Sequence, residues 1–575
     1  MIITKYKSLK LKIILIIFLF VFFSFYLETL NFGLPYFINA DETAGIKSLL
    51  YFYGFFSHAN QNVVEPIYFP LISFFSTGFL ILVKNIFVWQ YTLAELKDFF
   101  YLNPHLLYKF GRISSLIFCT LSLILYFLIT YKLKISKTYI LVSFFALCTS
   151  YLFFDIANVH GKNALLLFLF LLQYYFFIKY FIKIEKFNLN SYIIFALLAS
   201  LAWGINYWAA TPSIYAILFL HLEKFKKKKI NYILIFLIIF LILGFLLNIV
   251  ISQDKIIHHL FSNNFQDAYG ESGRFEIFIE DLINGFKIIL NIEKPLLFIA
   301  ILLILISNFF NQPINKKFLS FNLFLIFEPI LLFAVADTAN PQLRYFGPSI
   351  FLLYILSGFM IKLTVSKNFK INNFILSIIC LPLLFFIFEK ISILHYSKKI
   401  LDKGHAQYKT LDDYNSSTKT LFFTSYMAYR ENINTLDLYK LLIFKKLISL
   451  NPAADNKNTI SEIEKKIKYI SIAKKHNMEP SSKNNIFIGG EFIIKDHKIF
   501  FDYIKKNFNY VAINYNKDSK LYDYLSKNFK VEKIYNTNNL LTARSISNIL
   551  ENNFNLETIK KIDNIGFSMI VYKFN

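Results

Sequence analysis

Long apolar runs, broken by short polar segments rich in Lys, fill the first two-thirds of the chain. Runs approaching the ~20 residues that cross a bilayer fall at about 13–27, 112–131, 138–154, 163–182, 191–206, 209–222, 230–251, 295–310, 318–335, 345–363 and 372–389. The pattern predicts a polytopic α-helical membrane protein with about 11 transmembrane helices. The first run follows Lys5, Lys7, Lys10 and Lys12, and no small-residue cleavage site comes after it. It reads as an uncleaved signal anchor rather than a signal peptide.

A further apolar run, 66–88, contains Pro66, Pro70 and Gly78 and is edged by Lys84. Parity decides how it is read. If it does not cross, the N-terminus, Lys132 to Lys134, Lys179 to Lys186, Glu223 to Lys229, Lys316-Lys317 and Lys362 to Lys370 all share the cytoplasmic side. These segments are dense in Lys and hold only Glu185 and Glu223 as acids. If it does cross, every later Lys cluster is placed outside, against the positive-inside rule. The expectation is therefore a re-entrant or interfacial segment within a long first outer loop, 28–111. The N-terminus is then cytoplasmic, and everything after residue 389 faces outward.

Beyond Glu389 the hydropathy drops, and residues 390–575 are long enough for one soluble domain. Helical patterns at Ser461 to Lys474 and Tyr503 to Asn507 mix there with short strand-like runs. The strand candidates begin at Thr420, Asn485, Tyr510, Lys530 and Ser568, and the mixture predicts an extracytoplasmic α/β domain. No internal repeat is evident.

Composition sharpens this picture. Of 575 residues, 56% are hydrophobic and 17% charged. Soluble domains carry about 25% charged residues, and disordered chains are poor in apolar ones, so both classes are excluded. The formal net charge of +24 would suggest nucleic acid in a soluble protein. Here half of it belongs to residues 390–575, with Lys+Arg 30 against Asp+Glu 18, and much of the rest is a topology signal. An outward domain of that sign suits an anionic acceptor. Cys119, Cys148 and Cys380 lie in apolar runs and offer neither a disulfide framework nor metal-ligand spacing. The basic residues are 56 Lys and only five Arg, so each Arg departs from the chain's default cation.

Candidate chemistry gathers on the outer side. The first outer loop reads Leu34-Pro-Tyr-Phe-Ile-Asn-Ala-Asp41-Glu42, an acidic pair just beyond the first span. A carboxylate there can take a proton from an attacking hydroxyl or amine. Asn39 or Asp41 could equally cap the next helix, with Glu42 in its first turn. Arg112, Arg274 and Arg344 all fall on the outer side, where a guanidinium fork suits phosphate oxygens. Lipid head groups or neighbouring acids would serve them as well. The short outer loop Asp155-Ile-Ala-Asn-Val-His160-Gly-Lys162-Asn163 puts an acid, an imidazole and an ammonium together, as a sugar-phosphate contact or as a solvated loop. His258-His259 lacks further ligand spacing, so no metal or other cofactor is indicated. Glu328 sits inside an apolar run, where an acid is a functional candidate by default, or a carboxyl bonded to a neighbouring helix.

These features resemble the C-type (GT-C) membrane glycosyltransferases, in the branch of the protein O-mannosyltransferases and aminoarabinose transferases. The resemblance rests on the acidic pair Asp41-Glu42, on Glu65-Pro-Ile-Tyr-Phe-Pro-Leu71, on Tyr108-Lys-Phe-Gly-Arg112-Ile-Ser-Ser and on Arg344-Tyr345-Phe-Gly-Pro348. It covers residues 1–389. It implies a polyprenyl-phosphate-linked sugar as donor and a lipid, glycan or protein as acceptor, with inverting transfer at the outer face of the cytoplasmic membrane. It further implies Asp41 as the general base, with Glu42 beside it. By the same resemblance Arg112, Lys162 and Arg344 would meet the donor phosphate or head group, and Asp155, His160, Arg274 and Tyr345, read from their place on the outer side, are further candidate substrate contacts. Many relatives carry Asp where this chain has Asn163, and no Trp-Trp-Asp-Tyr-Gly signature is present. A transporter or flippase of a lipid-linked glycan is the competing class. Such a protein would show pseudo-repeats and polar sites at the membrane midplane.

Overall fold

The computed structural model describes residues 2–30, 68–102, 105–225, 230–246, 316–336, 346–365, 380–396, 406–414, 420–424, 486–489, 508–515, 520–537, 556–561 and 568–574, with a few isolated positions between them. Contacts divide the chain into two units. The first holds Met1–Leu30, Ala44–Ile81 and Gly111–Leu394, and the second holds Asn31–Thr43, Leu82–Phe110 and His395–Asn575.

The first unit is helical. Its helices are α1 (Ile2–Thr29), α2 (Tyr68–Lys84, continuing into the second unit), α4 (His105–Lys132), α5 (Lys137–Cys148), α6 (Tyr151–Asn158) and α7 (Lys162–Ile182). They are followed by α8 (Leu189–Trp203), α9 (Thr211–Phe225), α10 (Ile230–Phe240), α11 (Lys316–Ala336) and α12 (Gly347–Val365). The helix α3 (Leu93–Leu102) lies in the second unit. Among the described residues, Leu71–Trp89, Leu106–Lys132 and Lys162–Ile182 are long and apolar enough to cross a membrane. Shorter apolar helices accompany them, Leu189–Trp203, Ile230–Leu246, Phe318–Glu328 and Gly347–Lys362.

One expected span is corrected. The run 138–154 is not a single helix: α5 stops at Cys148, and α6 starts again at a bend of 58°. Ser150 causes the restart, because its side chain accepts from Phe153 N and caps a new helix. The outer loop expected from Asp155 is shortened as a result. Asp155 and Asn158 lie within α6, and only residues 159–161 separate it from α7.

Hydrogen bonds sort the helix ends of this unit into two groups. Lys362 Nζ near the end of α12 donates to Leu133 O just past α4, at 2.8 Å. Lys224 in α9 donates to Glu185 O at 3.0 Å and to Phe187 O, both just past α7. At the opposite ends, Arg112 in α4 reaches Leu30 just past α1. The start of α2 meets residues of this second group. Tyr68 N donates to Gly204 O at 2.9 Å, Ser73 Oγ lies 2.9 Å from His160 Nε2, and Ser76 Oγ lies 2.7 Å from Ser114 Oγ. Phe75 and Phe79 on the same helix are 63% and 64% exposed, an apolar face with no protein cover.

In the second unit, α2 continues as a π-helical turn, Asn85–Trp89, which ends at Gln90 in the left-handed region with φ 55°. Trp89 packs on Phe99, Phe100 and Phe110. The rest of this unit holds a five-stranded sheet in the order β2-β1-β3-β5-β4. The strands are β1 (Thr420–Thr424), β2 (Ile486–Gly489), β3 (Tyr510–Asn514), β4 (Lys530–Tyr535) and β5 (Met569–Lys573). All five match the expected runs. β1 pairs in parallel with β2 and β3, whereas β5 runs antiparallel to β3 and β4. Central β3 and β5 are buried along most of their length. The edge strand β4 is exposed but for Tyr535, and its Lys530, Glu532 and Lys533 discourage further strand pairing.

The remaining helices of this unit are α13 (Ala406–Asp413), α14 (Lys520–Asn528) and α15 (Leu556–Lys560). Ala406 and Tyr414 cover one sheet face with Ala512, Met569 and Val571. Ser526 of α14 bonds the Tyr572 hydroxyl at 2.7 Å. Of the expected helices, 461–474 lies outside the described residues. Within 503–507 only Lys505 and Lys506 are described; they form a turn, and Lys505 N donates to Phe501 O at 3.0 Å.

Candidate functional site

The second group of helix ends builds the site. The last turn of α1 is pinned at three points. The Tyr26 hydroxyl donates to Cys148 O at 2.9 Å, and its ring lies 5.2 Å from that of Phe154. The Thr29 hydroxyl bonds the Asn158 side chain. Arg112 Nη1 donates to Leu30 O at 2.9 Å. Arg112 is 1% exposed and among the largest fully buried side chains. A buried guanidinium is tolerated only where its donors are met, and a backbone carbonyl meets one of them here.

The expected residues Arg112, Asp155 and His160 are all buried at this end, and Lys162 is half-buried beside them. Asp155 lies on α6, about one turn before Asn158, which bonds Thr29. His160 follows α6, and its Nε2 shares a hydrogen with Ser73 Oγ at 2.9 Å. Its ring lies 5.9 Å from Phe69 and flat against Gly111, the residue before Arg112. Lys162 opens α7, whose N-cap Gly161 supplies no side-chain cap. Backbone N–H groups at such an end attract anions, and a Cβ on Gly161 would meet nothing within 4 Å.

Asp41, Glu42, Arg274, Arg344 and Tyr345 lie outside the described residues, as do His258 and His259. The described end of the Arg344 motif does reach this site. Phe346 is buried, and a Cβ on Gly347 would lie 2.8 Å from Ile156 Cδ1. The start of α12 therefore packs on α6 between Asp155 and Asn158. Glu328 sits apart from this group, 6% exposed on α11 and hydrogen-bonded to Thr211 of α9. Its Oε2 has no hydrogen-bond partner among the described residues. Among the described residues, no three His, Cys, Asp or Glu side chains are grouped to hold a metal ion.

Sequence reasoning missed a buried ion pair between Glu293 and Lys390. Glu293 Oε1 also accepts from Ser150 Oγ at 2.6 Å and from Leu152 N at 3.3 Å, at the start of α6. The available signal was a repeated Glu-Lys dipeptide, 293–294 and 389–390, at the edges of the apolar runs 295–310 and 372–389.

No family model matches the sequence, and no curated protein matches it. Among solved structures, the chain is similar to ArnT from Cupriavidus metallidurans in the apo state, at 9% identity and a TM-score of 0.46, over 98% of each chain. It is also similar to the same protein bound to undecaprenyl phosphate, at 8% identity and a TM-score of 0.44, over 97% of each chain. ArnT is an aminoarabinose transferase, from the group that the motifs above resemble.

Proposed function

We propose that this chain is a membrane glycosyltransferase that moves a sugar from a polyprenyl-phosphate donor to a lipid, glycan or protein acceptor. The observation that carries this reading is the convergence of Arg112, Asp155 and His160, all buried, with half-buried Lys162 at one end of the helical unit. The start of α12, just after Arg344-Tyr345, packs on the same short helix. A buried guanidinium and a half-buried ammonium near an acid and an imidazole, at one end of the helices, suit a ligand whose charge lies at the membrane surface.

In this reading Asp41 takes the proton of the acceptor as the acceptor attacks the anomeric carbon. The bond to the lipid phosphate breaks in the same displacement, which inverts the centre. Arg112, Lys162 and Arg344 stabilise the charge that develops on the departing phosphate. Asp155 and His160 hold the sugar or orient those cations. The site faces outward, α2 lies along the outer membrane surface, and residues 390–575 face the same compartment. The contacts from Tyr68, Ser73 and Ser76 tie the start of α2 to the second group of helix ends.

Sugar release from polyprenyl-phosphate donors by the purified protein tests the class. Transfer to an added acceptor extract supports it, and no release from any donor in a panel of lipid-linked sugars contradicts it. The Glu328 carboxyl oxygen without a partner among the described residues favours a second reading, transport of a lipid-linked glycan.

A further inference from the structure

Two Glu-Lys dipeptides, Glu293-Lys294 and Glu389-Lys390, pair crosswise. Lys390 bonds Glu293, and Lys294 Nζ lies 2.8 Å from Glu389 Oε1. The two bridges differ in setting. Lys294 and Glu389 are 54% and 30% exposed, so their pair is screened and contributes little. Glu293 and Lys390 are 1% and 4% exposed. A buried pair of this kind is often no more stabilising than apolar residues of the same size. Its presence therefore calls for a reason beyond attraction.

The second oxygen of Glu293 supplies that reason. Oε1 accepts from Ser150 Oγ at 2.6 Å and from Leu152 N at 3.3 Å, while Oε2 faces Lys390. Ser150 is the N-cap of α6, and its Oγ in turn accepts from Phe153 N at 3.3 Å. The carboxylate thus sits on the positive end of α6 and takes up a backbone N–H that no residue of its own helix can satisfy. Lys390 holds that carboxylate in place, and its Nζ lies 5.3 Å from the centre of the Tyr151 ring.

All eight residues of α6 are buried, and eight residues span only about 12 Å. One end of this short rod is held by Glu293. Toward the other end it carries Asp155 and Asn158, and it leads into His160. The angle between α5 and α6 is therefore not set by the peptide chain alone.

We propose that Glu293, held by Lys390, is a positioning residue: its carboxylate fixes the start of α6 and thereby aims Asp155 and Asn158 into the site. The purpose of that aim rests on the transferase reading; the aim itself does not.

The test uses the full-length protein in detergent, with hydrogen exchange of peptides covering 151–160 and thermal unfolding of the whole chain. The charge swap E293K/K390E restores an ion pair but places an ammonium against the N–H end of α6. It is expected to melt like the wild type while residues 151–158 exchange at least about tenfold faster, as loss of a charge-assisted hydrogen bond implies. Wild-type protection of α6 in the swap overturns the proposal, because the pair would then be a cross-link and nothing more.

A second comparison serves if the swap does not fold. E293Q/K390M keeps an acceptor oxygen at position 293, whereas E293M/K390M removes it, and neither leaves a charge buried alone. The first is expected to stay within about threefold of wild-type protection and the second to lose about tenfold or more. Equal exchange in the two overturns the proposal. Sugar transfer measured alongside is expected to lose kcat, with donor KM little changed, in E293M/K390M only. Absence of transfer in the wild type counts against the proposed function, while exchange still decides the positioning.

Discussion

Gly111 lies so close to His160 that a Cβ on it would sit 2.5 Å from the imidazole Cγ. Within a helix, replacing Gly by Ala ordinarily gains about 1 kcal/mol. Here the added methyl meets a ring held on its far side by Ser73 and flanked by Phe69. The clash outweighs the propensity gain. Gly111→Ala is expected to lower the melting temperature and to cut sugar transfer more than tenfold. Truncating the ring removes the clash, so in the His160→Ala background the same substitution should cost little. A double-mutant cycle on melting temperature measures this coupling.

Arg112 pins the exit of α1, just ahead of the acidic pair, through its hydrogen bond to Leu30 O. Lys in its place keeps the charge but loses the planar fork. Arg112→Lys is expected to reduce transfer by about 10- to 100-fold, the weight of one hydrogen bond to a charged group, and to leave the fold intact by circular dichroism. Wild-type rates in this variant would remove Arg112 from the site.

In the C-terminal sheet, Asp413 at the end of α13 accepts from Lys533 and from the Tyr535 hydroxyl, the latter at 2.5 Å, both on β4. Those two hydrogen bonds hold its carboxyl below the ordinary 3.8. A lowered carboxyl stabilises the fold above that ordinary value, and the contribution fades as pH falls through the lower folded value. The pair is half-exposed, so the gain is at most about 1 kcal/mol. Compared at each pH, β4 amides of the wild type should exchange more slowly than those of Asp413→Asn above the ordinary carboxyl range, and the two should converge as pH falls through the lowered folded value.

Glu328 separates the two functional readings. A transporter that moves its cargo past a buried carboxyl depends on that group. A transferase with its chemistry at the helix ends does not. Glu328→Gln keeps the size and the bond to Thr211, and is expected to leave transfer within about threefold, since neutral partners exchange one modest hydrogen bond for another. Loss of glycan flipping in vesicles, with no transfer to lose, would favour the transporter.

Much of the fold was legible because apolar length and short β runs are local signals. The five strands follow from runs such as Tyr510-Val-Ala-Ile-Asn, where three consecutive apolar residues fill a strand buried on both faces. Parity speaks only to whether 66–88 crosses; the contacts of Tyr68, Ser73 and Ser76 at the start of α2 were not legible in it. The break at Ser150 was not legible, since a cap inside an apolar run looks like any other small residue until the chain turns. The Glu293–Lys390 pair was hidden by sequence distance: each Glu-Lys dipeptide alone reads as a solvated span edge. The candidate site was legible as residue types on one side. That Asp155 stands on a short helix, with His160 wedged against Gly111, came only from packing.

The proposed reaction is transfer from a lipid phosphate at the outer face with Asp41 as base. It is tested most directly by sugar release from a polyprenyl-phosphate donor, measured for wild type and Asp41→Asn in parallel with donor binding. Release is expected from the wild type, and none above background from Asp41→Asn despite unchanged donor affinity. Full release by Asp41→Asn would contradict it.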